Sequence, residues 1–214
     1  MSPLDGVRAV AFDLDGTLVD RDAAARAVLA EVLDEVLLPE ALALDASGDG
    51  GPAFFAFLGA HARGLSSRDA DDVAPWFRAA LAARVAPASE AVAARVRSRR
   101  VPFAVVTNGG ASQRVKLARS GLEVDHVLVS AELGVDKPSP RIYARAAAVL
   151  GSPPSTLLFV GDHPVNDVDG PARAGYLTLW LARGRAYPTG LRAPTTIVDS
   201  IEDAFAELHR RALC

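Results

Sequence analysis

Short apolar runs alternate with longer amphipathic segments along most of the chain. Five of these runs are typical of strands covered on both faces, and they lie near residues 7–13, 101–107, 126–130, 156–161 and 176–180. Helical patterns separate the runs, and the clearest extends from Arg141 to Leu150, with Ser139 as a suitable N-cap and Gly151 after its end. The alternation predicts an α/β fold with a doubly wound, Rossmann-like parallel sheet and right-handed crossovers.

The interval from about Val19 to Arg84 interrupts this alternation. Its pattern is helical, and we predict helices at Ala23 to Leu37, Pro52 to Arg63 and Ser67 to Arg84, with a Gly-rich break at residues 47–51. We therefore expect residues 19–84 to form a small all-helical domain. It is inserted after the first strand into a core made of residues 1–18 and 85–214.

Two carboxylates follow the first apolar run, in the sequence Phe12-Asp13-Leu14-Asp15-Gly16. Because side chains alternate along an extended chain, we expect Asp13 and Asp15 on the same side of the strand end. Like charges that lie so close raise each other's pKa unless a cation or hydrogen-bond donors offset them. The pair therefore indicates a metal site or a shared proton, and a simple tight turn is the plainer alternative.

Polar residues also follow other apolar runs. Thr107-Asn108-Gly109-Gly110 comes after the second run and before a helical segment, which is typical of an anion cradle and equally of an ordinary turn. Gly161-Asp162 ends the fourth run and Asp167 follows, so two more acids either join the first pair or cap the next helix. Parallel strands end at one edge of a sheet, where such folds place their sites.

Lysine is rare in this chain. Of the 23 basic residues, only Lys116 and Lys137 are lysines. Lys137 directly precedes Pro138 and a predicted helix, and an ammonium where arginine is the usual cation indicates a position that needs a point charge. The sequence suggests no comparable role for Lys116.

These motifs, in this order, resemble the four motifs of the haloacid dehalogenase-like superfamily. They are Asp13-x-Asp15-Gly16-Thr17, Thr107-Asn108, Lys137-Pro138, and Gly161-Asp162 with Asp167. The resemblance covers most of residues 5 to 182, and it implies that the insertion is a helical cap of the first type. It also implies an enzyme, a Mg²⁺-dependent phosphatase acting on a small phosphorylated metabolite.

The resemblance also implies how the reaction proceeds. Asp13 is expected to attack phosphorus and become a transient aspartyl phosphate. Asp15 is expected to protonate the leaving group and then to deprotonate the water that hydrolyses the intermediate. Thr107, with Asn108, Gly109 and neighbouring backbone amides, would hold the phosphoryl oxygens.

The charges of the site follow from the same resemblance. Mg²⁺ would be bound by Asp13, the backbone carbonyl of Asp15, Asp162 and Asp167, the last directly or through water. Lys137 would neutralise the nucleophile and the phosphoryl group, and it is the only other cation expected beside these acids. His163 is interpreted as a supporting or substrate-side residue, because hard oxygen ligands suit Mg²⁺ better than imidazole does.

Three alternatives stay open beside the phosphatase. The 2-haloacid dehalogenases of the superfamily also use an aspartate nucleophile, but they lack an acid corresponding to Asp15. Sugar phosphomutases retain both acids and a cap. A phosphoacceptor signalling domain is the non-enzymatic alternative, and both its acid order and the absence of a cap argue against it.

Within the predicted cap, Phe54, Phe57 and His61 recur at helical spacing. Packing inside the cap is favoured for them, and the alternative is that one of them, or Arg21 near the cap entry, faces the substrate. A cap matters because its closure excludes water and places selective side chains over the phosphate.

Composition narrows the class of protein. A net charge of −3 gives no basis for a nucleic-acid surface, and half of the 214 residues are hydrophobic, as in ordinary globular proteins. The one cysteine, Cys214, permits no internal disulfide and fits a reducing cytoplasm. No secretion signal or run of transmembrane length is recognised, so we expect a cytoplasmic protein that binds neither nucleic acid nor a membrane.

Overall fold

The computed structural model describes residues 4–45, 51–65 and 70–214. The chain divides into two compact units, one formed by Met1–Val19 with Pro87–Cys214 and the other by Asp20–Ala86. The larger unit contains a sheet with helices, and the described part of the smaller unit is helical. In the described part of the chain, no helix combines the length and the apolar character needed to cross a membrane.

A six-stranded parallel sheet forms the centre of the larger unit. The strands are β1 Ala9–Phe12, β2 Phe103–Thr107, β3 His126–Val129, β4 Leu157–Gly161, β5 Leu177–Leu181 and β6 Thr196–Val198. Their order across the sheet is β3-β2-β1-β4-β5-β6, and every neighbouring pair is parallel. The predicted α/β parallel sheet is confirmed. The edge strand β6 was not predicted, because it is only three residues long and none of its side chains is fully buried.

Ten α-helices lie in the described ranges. They are α1 Arg21–Val32, α2 Leu38–Asp45, α3 Pro52–His61, α4 Ala70–Arg84, α5 Glu90–Arg97, α6 Ser112–Ser120, α7 Ser130–Leu133, α8 Pro140–Val149, α9 Gly170–Arg173 and α10 Ile201–Arg210. The helix predicted at Arg141 to Leu150 is α8, and Ser139 occupies its N-cap position without a side-chain capping bond. A π-helical segment, Pro164–Asp169, connects β4 to α9.

Helices pack on both faces of the sheet. Phe12 and Phe159 lie on adjacent strands one register position apart, so their side chains point to opposite faces. On one face the Phe205 ring of α10 stacks 5.6 Å from Phe12, and on the other the Tyr143 ring of α8 lies 5.7 Å from Phe159. Both faces are therefore buried, and the polar residues of the motifs lie at the carboxyl ends of the strands.

The smaller unit contains α1 to α4, and its first helix is shorter than predicted. The helix expected over Ala23 to Leu37 ends at Val32, and a 3₁₀ turn at Glu35–Leu37 follows. Arg63 explains the break, because its backbone N–H donates to the Val32 carbonyl at 2.8 Å and its guanidinium donates to the Leu33 carbonyl at 3.3 Å. A continuing helix would use these carbonyls for its own hydrogen bonds.

The aromatic residues singled out in this unit have different surroundings. Phe54 is buried, with its ring centroid 4.9 Å from that of Phe77, which confirms the packing interpretation for this residue. Phe57 is half-buried and its ring lies 4.6 Å from that of His61, which is exposed.

Arg21 donates to both carboxylate oxygens of Asp45, at 2.8 and 2.7 Å, and both residues are buried. This ion pair therefore contributes to the interior of the smaller unit. Residues 47–50 of the Gly-rich break and the predicted helix start at Ser67 lie outside the described residues.

Candidate active site

The first motif changes direction sooner than expected. β1 ends at Phe12, and residues 14–19 form a turn closed by hydrogen bonds among their own backbone groups. The strand alternation used to place Asp13 and Asp15 on one side therefore stops at Phe12, and Asp15 instead forms an isolated bridge with Val19. The two carboxylates are held by different cations.

Asp13 shares Lys137 with Asp167. The Lys137 Nζ donates to Asp13 Oδ1 and to Asp167 Oδ1, both at 2.7 Å, and all three residues are buried. The second oxygen of Asp167 accepts the His163 N–H at 2.9 Å. Gly161 at the end of β4 makes room for this arrangement, because a Cβ there would lie 2.4 Å from the Cβ of Asp167.

Asp162 completes a cluster of three acids. Asp13, Asp162 and Asp167 each present a carboxylate oxygen, and the three oxygens lie within 4.8 Å of one another. Gly16 packs against the cluster with a left-handed φ of +75°, and a Cβ there would lie 2.9 Å from the Asp162 carboxylate. Hard oxygen donors at this spacing fit Mg²⁺.

The imidazole of His163 hydrogen-bonds to nearby backbone groups and so has a structural role. Its Nδ1 accepts the backbone N–H groups of Val165 and Asn166, both at 3.2 Å, and so caps the segment that carries Asp167. Of the two roles predicted for His163, supporting or substrate-side, this contact favours the supporting one.

The charges of the acid cluster are not balanced by Lys137. Burial, together with the negative charges of Asp167 and Asp15, raises the pKa of Asp13 to about 8, against the lowering effect of Lys137. Burial favours a lower pKa for Lys137, but Asp13 and Asp167 hold that pKa above its usual range, so the ammonium stays charged. Burial and Asp167 also raise the pKa of Asp162. A divalent cation would relieve this excess of negative charge.

Arg185 is a second cation beside the acids. Its Nη2 lies 3.2 Å from Asp162 Oδ2 and donates to the Asp162 backbone carbonyl at 2.9 Å. The expectation that Lys137 would be the only cation there is therefore wrong. Arg185 follows β5, so it reaches the same sheet edge as the motif residues. Its position after an apolar run could have identified it from the sequence.

Asp15 is held by α6. The Lys116 Nζ donates to Asp15 Oδ1 at 2.8 Å and to Oδ2 at 2.6 Å, and the Gln113 Nε2 donates to Oδ2 at 2.9 Å. Lys116 and Gln113 are buried with Leu117 and Ser120, at the spacing of one helix face. The sequence suggested no role for either polar residue, although two long polar side chains on a buried helix face were a detectable signal.

The loop after β2 is hydrogen-bonded to the backbone of Lys137. The Asn108 side-chain amide donates to the Lys137 carbonyl at 2.9 Å and accepts the Lys137 N–H at 2.8 Å. Thr107 is buried at the end of β2, and the Gly109 N–H donates to the Ser130 hydroxyl at 3.0 Å. Asn108 therefore orients Lys137 through its side chain, whereas phosphate binding by Thr107, Asn108 and Gly109 stays a prediction.

Comparison with known proteins places this arrangement in a family. The family model for haloacid dehalogenase-like hydrolase matches residues 7–175. Phosphoserine phosphatase from Thermus thermophilus is 35% identical over 122 residues, which cover 56% of this chain and 49% of that protein, so the match extends over about half of the relative's length. Phosphoglycolate phosphatase from Neisseria gonorrhoeae is 30% identical over 228 residues, with 96% of this chain and 93% of the relative covered.

A solved dehalogenase structure with an intermediate complex has a TM-score of 0.75 to this chain, covering 95% of this chain and 97% of its own. At 21% identity this likeness shows the fold alone. The family match extends over most of the chain and includes the ends of β1 and β4, which carry the acids, and the segment before α8, which carries Lys137. The chain therefore belongs to the haloacid dehalogenase-like hydrolases.

Proposed function

We propose that the protein is a Mg²⁺-dependent phosphatase that hydrolyses a phosphate monoester of a small metabolite through an aspartyl phosphate on Asp13. The observation that carries the proposal is the second carboxyl group, Asp15, held beside the nucleophile by its own cation, Lys116. A phosphate ester expels an alkoxide, which needs a proton, whereas a halide leaves without one. A second acid therefore serves phosphoryl transfer and has no such task in dehalogenation.

Asp13 is proposed as the nucleophile. Lys137, 2.7 Å from its carboxylate, would keep it oriented and would offset charge as phosphorus approaches. Asp13, Asp162, Asp167 and the backbone carbonyl of Asp15 would hold Mg²⁺, which when bound supplies positive charge to the carboxylates and the phosphoryl group.

Asp15 is proposed as the acid and then the base. It would donate a proton to the leaving oxygen while the phosphorus–oxygen bond breaks and Asp13 becomes phosphorylated. It would then accept a proton from the water that attacks the phosphoryl group, which restores Asp13 and releases phosphate. Thr107, Asn108 and Gly109 would hold the phosphoryl oxygens from the loop after β2.

The names of the relatives support a small phosphorylated substrate, since phosphoserine phosphatase and phosphoglycolate phosphatase are both among them. We propose that residues 19–84 act as the substrate-selecting cap and that the enzyme works in the cytoplasm. Sugar phosphates, phosphoglycolate-like acids and nucleotides form the panel to test, with phosphate release measured in the presence of Mg²⁺.

The test of the mechanism compares Asp13→Asn with Asp15→Asn. Asp13→Asn should abolish turnover and all covalent phosphorylation. With an aryl phosphate whose leaving group needs little protonation, Asp15→Asn should still phosphorylate Asp13 but should hydrolyse the intermediate about 10²–10⁴-fold more slowly. Rapid quench and peptide mass mapping locate the phosphoryl group.

Three outcomes would overturn the proposal. Phosphate found on a residue other than Asp13, or normal turnover in Asp13→Asn without deamidation, contradicts the nucleophile. Formation of an isomeric phosphate without release of inorganic phosphate would identify a phosphomutase. Halide release from a 2-haloacid, with no activity on the phosphate panel, would identify a dehalogenase.

A further inference from the structure

We propose that Lys116 and Gln113 are positioning residues that fix the carboxyl group of Asp15 for its work as acid and base. The inference rests on the proposed function, because it assigns the support of the group that moves protons there. It adds two residues of α6 that lie outside the four sequence motifs.

Lys116 is committed to Asp15. The Lys116 Nζ donates to both carboxylate oxygens of Asp15, at 2.8 and 2.6 Å. Among the described residues, Lys116 Nζ has no other hydrogen-bond acceptor. The Lys116 side chain is 7% exposed and that of Asp15 is 21% exposed. A long ammonium side chain is rarely buried unless it is paired, so its burial is explained by this one contact.

Gln113 fixes the same carboxylate from a second direction. Its Nε2 donates to Asp15 Oδ2 at 2.9 Å and to the Asn108 carbonyl at 2.6 Å. The acid is thereby linked to the loop after β2, which also carries Thr107. Two donors on one helix restrict the rotation of the carboxylate, and Gln113 sets its distance from that loop.

A second ion pair formed by α6, between Arg114 and Glu132, is a structural contact with which Lys116–Asp15 can be compared. Arg114 binds Glu132 through two hydrogen bonds, at 2.6 and 2.7 Å, and both side chains are substantially exposed. It joins α6 to α7 and contacts none of the four motif acids among the described residues. Arg114 is therefore a matched control, because it is a cation of the same helix with a bidentate carboxylate partner.

Positioning predicts a specific kinetic pattern. If Lys116 acts through Asp15, removing the ammonium matters only while Asp15 can transfer protons. Lys116→Met should lower kcat/KM for an alkyl phosphate by roughly 10- to 100-fold, the range for the loss of a hydrogen bond to a charged group. In an Asp15→Asn background, the same change should lower it by less than about 2-fold, because residues that act as a unit are not additive.

The experiment measures phosphate release by the wild type, Lys116→Met, Asp15→Asn, the double variant and Arg114→Met. Gln113→Leu is added as a second variant, with a smaller loss expected and the same non-additivity. It supplies the test on its own if Lys116→Met does not fold. Thermal unfolding of each variant checks that the fold is intact.

The inference is overturned if Lys116→Met or Gln113→Leu lowers activity equally in both backgrounds, or if Arg114→Met lowers it as much as Lys116→Met does. Failure of the proposed function gives a different result, since the wild type itself then forms no phosphate on Asp13. The two failures are thus distinguishable.

Discussion

Lys137→Met should destabilise the metal-free protein strongly, and more so at alkaline pH. The substitution keeps most of the side-chain volume but removes the ammonium that contacts Asp13 and Asp167, both at 2.7 Å. The Lys137 side chain is only 3% exposed, so the two carboxylates stay buried after the cation is lost. Breaking a buried ion pair from one side costs about 3–5 kcal/mol, and we expect a loss of that size in the free energy of unfolding at pH 8.

The pH dependence follows from Asp13. Its pKa is about 8 in the folded protein against an ordinary value of 3.8, so between these values the folded state holds a proton that the unfolded state has released. Stability of the metal-free wild type should therefore fall as pH rises from 5 to 8. At pH 5 the protonated Asp13 leaves less negative charge for Lys137 to offset. Without Lys137 the pKa of Asp13 rises further, so at pH 8 Asp13 is half ionised in the wild type alone. The loss in Lys137→Met should thus be smaller at pH 5, by about 0.4 kcal/mol.

Urea unfolding in chelator at the two pH values measures this difference. The chain has two tryptophans, so a Trp76→Phe background leaves Trp180, which is buried in β5, as the fluorescent reporter of the larger unit. Arg114→Met in the same background is the control, because its exposed ion pair should change stability little at either pH. Equal losses for Lys137→Met at pH 5 and pH 8, or a loss under about 1 kcal/mol at pH 8, would refute the electrostatic reasoning.

Three further predictions concern the metal and the smaller unit. Chelation should abolish phosphate release and Mg²⁺ should restore it, because the three acids carry more negative charge than the nearby cations offset; full turnover after verified metal removal would contradict this. Phe54→Ala should destabilise the protein by about 3–5 kcal/mol, since its ring is buried against Phe77. Phe57→Ala and His61→Ala should instead change the ratio of kcat/KM between substrates more than the rate on a small generic ester, and equal losses on all substrates would favour packing for these two as well.

The strands were predictable where burial was complete. β1, β2 and β4 are buried along their whole length, so each appears in the sequence as an apolar run that ends in polar residues. The half-exposed edge strand β6 has no such pattern. The end of α1 was not predictable either, because it depends on Arg63, far along the chain, and not on a local glycine or proline.

The acidic residues of the site could be predicted from the sequence, whereas two of its cations, Lys116 and Arg185, were missed. The three clustered acids and Lys137 converge because Asp13 follows β1, Asp162 and Asp167 follow the neighbouring strand β4, and Lys137 precedes α8. Strand ends are visible in a sequence, whereas the register of a helix face against a turn is not. Lys116 was therefore missed, although its place beside Gln113 on the buried face of α6 was detectable. Arg185 was missed because the residues after β5 were not compared with those at the other strand ends.

The position of β1 at the middle of the sheet has a consequence for how the chain is synthesised. Val10 pairs with Phe103 and Ala9 pairs with Leu157, so the strand that carries the nucleophile is made first and finds its two neighbours much later. The segment Asp20–Ala86, whose described part is helical, leaves the ribosome in between, before either partner strand of β1 has been made. Contacts so distant in sequence form slowly. The apolar segment at residues 9–12 therefore stays unpaired during much of synthesis, which exposes it to chaperone binding and to misassociation.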